Sequence, residues 1–195
     1  MWRDCYKVSS IERYPLAWDK RDIDTALDSW LVHDFGQPWK HHNWELTLHP
    51  AGHIPGAAML HIQTPQQSVL LTGDFDTRDS SLVAGAQPVK ADILFVEGTY
   101  GGRDHPPKEE EIQRFIEAVE SVVRRGGTVL IPAFANGRTQ DVVMLLHQHL
   151  PHLNVHVDGM GKRVAKTHLN NPSLLRDASA LERAWRWAKQ VSGKS

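Results

Sequence analysis

Three observations on this sequence predict an α/β fold. From residue 92 onward, apolar runs with strand character alternate with segments of helical period. Two short runs, Ala58–Ile62 and Ser68–Thr72, flank a polar turn from Thr64 to Ser68, and the second stops at Gly73. Glycine or proline stands at most of the breaks between runs, where the chain must turn. Strands that alternate with helices imply crossover connections, and with them a parallel sheet.

In chain order, the first candidate element is a helix beginning near Asp22. Ile23, Ala26, Leu27, Trp30 and Leu31 share one face at the i, i+3, i+4, i+7 spacing, and Gly36 and Pro38 end it. The tryptophans around it read as packing residues. His41 and His42 are adjacent, so in a strand they point to opposite faces and read as surface residues. Thr77–Lys90 reads as a loop and Asp92–Val96 as a buried strand ending at Glu97.

Pro106 and Pro107 introduce a helix over Glu109–Arg125. Three glutamates in its first turn and two arginines in its last complement the helix dipole. Ile112, Phe115, Ile116, Val119, Val122 and Val123 form its apolar stripe. Thr128–Phe134 then reads as a buried strand, Asn136 and Gly137 as a tight turn, and Arg138–Leu150 as a second helix with Val142, Val143, Leu145, Leu146 and Leu150 inward. A strand at Val155–Val157 and helices near Lys162–Leu169 and Ser179–Val191 complete the chain.

The 195 residues allow one domain or two small ones, and a 41% hydrophobic composition suffices for a core. A formal net charge of −1 supplies no general basic field, so any nucleic-acid contact must come from local clusters of Lys and Arg. The single cysteine, Cys5, excludes an intramolecular disulfide and fits a reducing cytoplasm. No apolar run reaches the length of a membrane span, and the start has no charged-then-apolar leader pattern. These features together predict a cytoplasmic protein with no membrane association.

The candidate chemistry lies in His49–Asp76. His53 sits in a Gly-rich turn before the Ala58–Ile62 run, and Asp74 follows Gly73 at the end of the next. Imidazole and carboxylate are donors that zinc, manganese or iron accept when an oxygen must share the coordination sphere. The plainer alternatives stay open: a lone loop histidine is ordinarily a surface residue, and Asp after Gly is ordinarily a turn residue. At the other candidate site, Asn136 and Gly137 bring backbone N–H groups to a helix N-terminus, and Arg138 adds a planar donor suited to phosphate. Against that, Asn-Gly is common turn chemistry and Arg138 could pair with Glu97 or Asp141.

Taken together, AGHIPGA and TGDFD resemble the third and fourth metal motifs of the metallo-β-lactamase superfamily. ILFVEGTYGG and GGTVLIPAFANGRTQ are similar to segments of its β-CASP nuclease branch, nearest to the short archaeal-type enzymes. The resemblance covers about residues 44–175. It implies a partial metallo-β-lactamase αββα sandwich in residues 1–98, continuing into a parallel-sheet α/β β-CASP domain in residues 99–195. In a complete enzyme of this kind two zinc ions activate water for RNA hydrolysis; Asp74 would bridge them, His53 would bind one, and Glu97 would orient a proton-donating histidine.

The sequence also departs from that pattern. The HxHxDH signature that opens such sites is missing before residue 44, and the later β-CASP histidines do not follow. His147-Gln-His149-Leu-Pro-His152 imitates the signature but carries Pro151 where the Asp belongs, and it falls in a helical segment. His53 and Asp74 are too few for a catalytic zinc, which asks for about three protein ligands. The expectation is therefore a fragment or subunit of a metal-dependent ribonuclease, completed by a polypeptide carrying the missing half. The alternatives are a catalytically inactive scaffold that binds a partner, or another hydrolase of the same fold. The missing strands also predict an exposed edge or apolar face, and with it homodimerisation.

Overall fold

The computed structural model describes residues 18–191. Cys5 and the start of the chain, on which the disulfide and leader expectations rest, lie outside the described residues. The chain divides into two compact units between Asp34 and Phe35. Among the described residues no helix is long and apolar enough to cross a membrane.

The first unit contains helix α1, Lys20–Asp28. It starts two residues earlier than the periodicity suggests because Asp19 is its N-cap: the Asp19 carboxylate accepts from Arg21 N and Asp22 N, and Asp22 returns a bond to Asp19 N. It also stops earlier. Ser29 N and Trp30 N bond to Ala26 O and Leu27 O, and the Ser29 hydroxyl bonds to Thr25 O, which closes the last turn. Trp30 and Leu31 therefore lie beyond the helix and are exposed, not part of a shared apolar face.

The second unit is mixed α/β. Strands β1 (Trp39–His41), β2 (Trp44–Pro50), β3 (Ala58–Gln63), β4 (Ser68–Leu71) and β5 (Ile93–Phe95) form one sheet in sequence order. The first four are antiparallel neighbours, and β5 runs parallel to β4. The β3–β4 hairpin closes where expected, with the Thr64 hydroxyl bonded to Gln67 O and accepting from Gln67 N. Met59 and Leu70 point inward from these strands and pack with Ala51, Ala86 and Phe75. The Asp92 carboxylate accepts from both Ser68 N and the Ser68 hydroxyl, which fixes the start of β5 beside β4.

Two expected buried strands are corrected. Ile93, Leu94, Phe95 and Val96 are all exposed, because among the described residues β5 has a neighbour on one side only. Residues 128–134 join no ladder among the described residues: Val129 and Ile131 pack inward, while Leu130 and Phe134 face out.

Helices α2 (Lys108–Arg124), α3 (Arg138–His149), α4 (Gly161–Leu169) and α5 (Ala178–Trp187) follow. Ile116 and Val119 of α2 meet Leu146 of α3 and Leu150, its C-cap, with Ile112 and Phe115 beside them. Val123 lies at the exposed margin of its predicted stripe. Val143 and Met144 join Ala165, Leu181, Ala184 and Trp185 in a larger core, into which the loop residues Leu82 and Val83 also insert. Burial of Leu181, which is fully enclosed, contributes about 1.5–3 kcal/mol. Helix α5 ends before Val191 because Lys189–Gln190 becomes strand β7, parallel to β6 (His156–Val157). That pair is where the predicted parallel crossover is realised in the C-terminal half.

Candidate functional site

Two loops and a turn build the site. The first loop leaves β2 at Ala51, folds back through Ala51 N to Ala57 O, and is joined to the loop after β4 by Asp76 N to Ala51 O. Gly52 makes that union possible. Its φ is +71°, and a Cβ there would lie 2.3 Å from Asp76 O and 2.5 Å from Ala86 N. The second close contact is at Gly137, φ +80°, where a Cβ would meet Ile54 Cγ2 at 2.6 Å. Ile54 follows His53, and Arg138 follows Gly137, so this contact brings the two predicted sites together.

The result is a cleft of about 270 Å³ lined by His53, Asp76, Arg78, His105, Lys108 and Arg138, with Glu111 at its margin. Three cations there face two carboxylates and two imidazoles. Arg78 is committed to Asp76 through Nε and Nη2 at 3.1 and 3.0 Å. Burial pushes the Asp76 carboxyl up, but the Arg78 hydrogen bonds outweigh it and hold the group below the ordinary range. Lys108 donates to Asp79 O, a neutral partner, and its charge also acts on the Asp76 and Asp141 carboxylates. Arg138 lies 3.8 Å from Asp141 and its side chain is 63% exposed, so its guanidinium can still take an anion.

The predicted residues are distributed as follows. His53 is exposed on the cleft wall. Glu97 is half-buried at the end of β5; hydrogen bonds from Thr99, and after them the nearby His53 imidazole, hold its carboxyl below the ordinary range. Asp74 is exposed at the end of β4, outside the cleft lining, which contains Asp76 instead. Asn136 turns its carboxamide oxygen toward His168 at 3.0 Å. The N–H groups of Arg138 and Thr139 donate to Asn136 O and Phe134 O, so the Arg138 side chain is the better anion partner at this turn. His147 lies on α3, packed against the Trp187 ring.

Asp76, Arg78, His105, Lys108 and Glu111 join the site only through the tertiary structure. Arg78 two residues after Asp76 was a visible signal for an ion pair. His105 had none; its ring lies edge-on to Tyr100, with centroids 4.6 Å apart.

No family model matches the sequence. Individual proteins do. Probable RNase MJ4 of Methanocaldococcus jannaschii is 31% identical over 195 residues, covering 97% of this chain and 45% of the relative. Cleavage and polyadenylation specificity factor subunit 3 of Dictyostelium discoideum is 38% identical over 149 residues, 75% of this chain and 19% of the relative. RNase aCSPSF2 of Saccharolobus solfataricus is 29% identical over 187 residues, 91% of this chain and 37% of the relative. The chain is similar to these proteins, which are nucleases of the β-CASP metallo-β-lactamase kind. It spans less than half the length of each of these relatives.

The β-CASP similarity implies metal, and His53 and Asp74 have suitable donor chemistry. They do not suffice for it. Among the described residues no three His, Cys, Asp or Glu side chains are grouped closely enough to hold an ion, and a catalytic zinc asks for about three. The described residues therefore do not by themselves fit a catalytic zinc site.

Proposed function

We propose that this chain is the RNA-facing part of a metal-dependent ribonuclease that hydrolyses phosphodiester bonds in RNA processing or decay, in the cytoplasm. The observation that carries this reading is the packing of Ile54 on Gly137, which sets His53 and Arg138 on one cationic cleft. RNA phosphates lie against Arg138 and Lys108 there. The relatives named as RNases support RNA as the substrate. His53 and Asp74 each supply one donor to a zinc site completed by residues outside the described set or by a second polypeptide. Glu97 acts beside it, and the division of labour follows the 1–98 and 99–195 domains.

The test is fluorescence anisotropy with a labelled RNA oligonucleotide. Arg138→Ala should weaken binding similarly across sequences and remove about one phosphate contact from the salt dependence. Unchanged affinity at low salt, with the fold intact by circular dichroism, would sink the phosphate reading.

A second reading, a non-catalytic scaffold, is favoured by the shortfall in grouped metal ligands among the described residues. Metal analysis after zinc dialysis of the assembled complex separates the two. A nuclease retains the ions of a two-metal site, and a scaffold retains none.

A further inference from the structure

The turn that carries Arg138 is fastened from behind by a buried histidine. His168, in the last turn of α4, is 6% exposed, and its Nε2 lies 3.0 Å from Asn136 Oδ1. An amide oxygen only accepts, so Nε2 carries a proton. Nδ1 is buried without a hydrogen-bond partner among the described residues. A second proton on Nδ1 would be buried with no acceptor among the described residues, and burial lowers the basicity of the ring, both of which favour the neutral imidazole.

A second fastening lies beside it. Gln140 is fully buried, and its Nε2 donates to Ala135 O and to Gly161 O, each at 3.0 Å. Residues 135 and 136 are thus tied to opposite ends of α4. Among the described residues the Arg138 side chain has no comparably tight partner, with Asp141 at 3.8 Å. Its direction into the cleft is governed by the turn beneath it.

We infer that His168 is a positioning residue for RNA phosphate binding: as a neutral donor it holds Asn136, and through that turn it aims the Arg138 guanidinium into the cleft. This rests on Arg138 being a phosphate contact. Leucine would fill the same space but leave Asn136 Oδ1 unheld. Glutamine places an amide N–H about where the histidine Nε2–H stands.

The experiment uses the 195-residue chain and a fluorescein-labelled single-stranded RNA oligonucleotide at low salt. His168→Leu should weaken binding about three- to tenfold, the effect of one lost hydrogen bond. His168→Gln should restore it to within about twofold. His168→Leu combined with Arg138→Ala should bind no more weakly than Arg138→Ala alone, a non-additivity that a general loss of packing would not produce. Asn136→Ala removes the same bond from the exposed side and decides the matter if His168→Leu does not fold. If Arg138→Ala weakens binding while His168→Leu or Asn136→Ala binds like wild type, the positioning role is overturned and the phosphate contact stands. Additive losses in the double variant overturn it likewise. If Arg138→Ala has no effect, both fall.

Discussion

Ile54 occupies the space that a side chain on Gly137 would need: a Cβ there would approach Ile54 Cγ2 to 2.6 Å. One contact between a loop following β2 and the residue preceding α3 thereby couples the histidine of one motif to the arginine of another. Gly137→Ala meets that overlap and a positive φ together. It should lower unfolding free energy by about 1–3 kcal/mol and weaken RNA binding in parallel. Urea unfolding and anisotropy measure the two effects; a stability change under about 0.5 kcal/mol would mean that Ile54 yields freely.

Gly52 is the stricter position because its neighbours are backbone atoms, Asp76 O and Ala86 N, which cannot rotate away. Gly36 has the same φ of +71° with nothing among the described residues within 4 Å of its Cβ position, so Gly36→Ala measures the conformational part alone. Gly52→Ala should destabilise the chain by clearly more than Gly36→Ala, and the excess reports the clash. Equal urea midpoints for the two variants would refute the steric account.

Asp141 supplies a pH-dependent prediction. Burial lifts its carboxyl above the ordinary 3.8, with Lys108 and Arg138 pulling it partway back. A carboxyl raised on folding binds its proton more tightly in the native state, so its contribution to stability falls as pH rises from the ordinary value through the raised one. At neutral pH the ionised form is the unfavourable one. Asp141→Asn should raise the thermal midpoint at neutral pH, with the gain shrinking as pH is lowered toward the ordinary carboxyl value. A lower midpoint at neutral pH would show that the Arg138 contact outweighs burial.

The 195-residue chain on its own should bind zinc only weakly and cleave no RNA, since His53 and Asp74 fall short of the about three ligands that a catalytic zinc asks for. Isothermal calorimetry and a gel cleavage assay check this. Sub-micromolar zinc affinity, together with RNA cleavage abolished by His53→Ala, would overturn it.

Elements whose evidence is local are legible in the primary structure. The apolar stripe of α2, the β3–β4 hairpin with its Thr64 turn and the tight turn at Gly137 rest on periodicity and turn chemistry within a few residues of each other. His53, Asp74, Glu97 and Arg138 were legible as candidates because their chemistry and neighbouring glycines lie in the primary structure. The remaining features depend on partners distant in the chain. Ile93–Phe95 and residues 128–134 are apolar enough for buried strands, yet burial requires a second neighbour that a local pattern cannot specify. The tertiary structure lines the cleft with Asp76 in place of Asp74, and it brings in His105 and Lys108 from the approach to α2. It also sets His168 behind Asn136, a hydrogen bond between residues 32 positions apart. Such juxtapositions arise from close packing of loops around Gly52 and Gly137, where the available volume selects the neighbour and no periodicity records it.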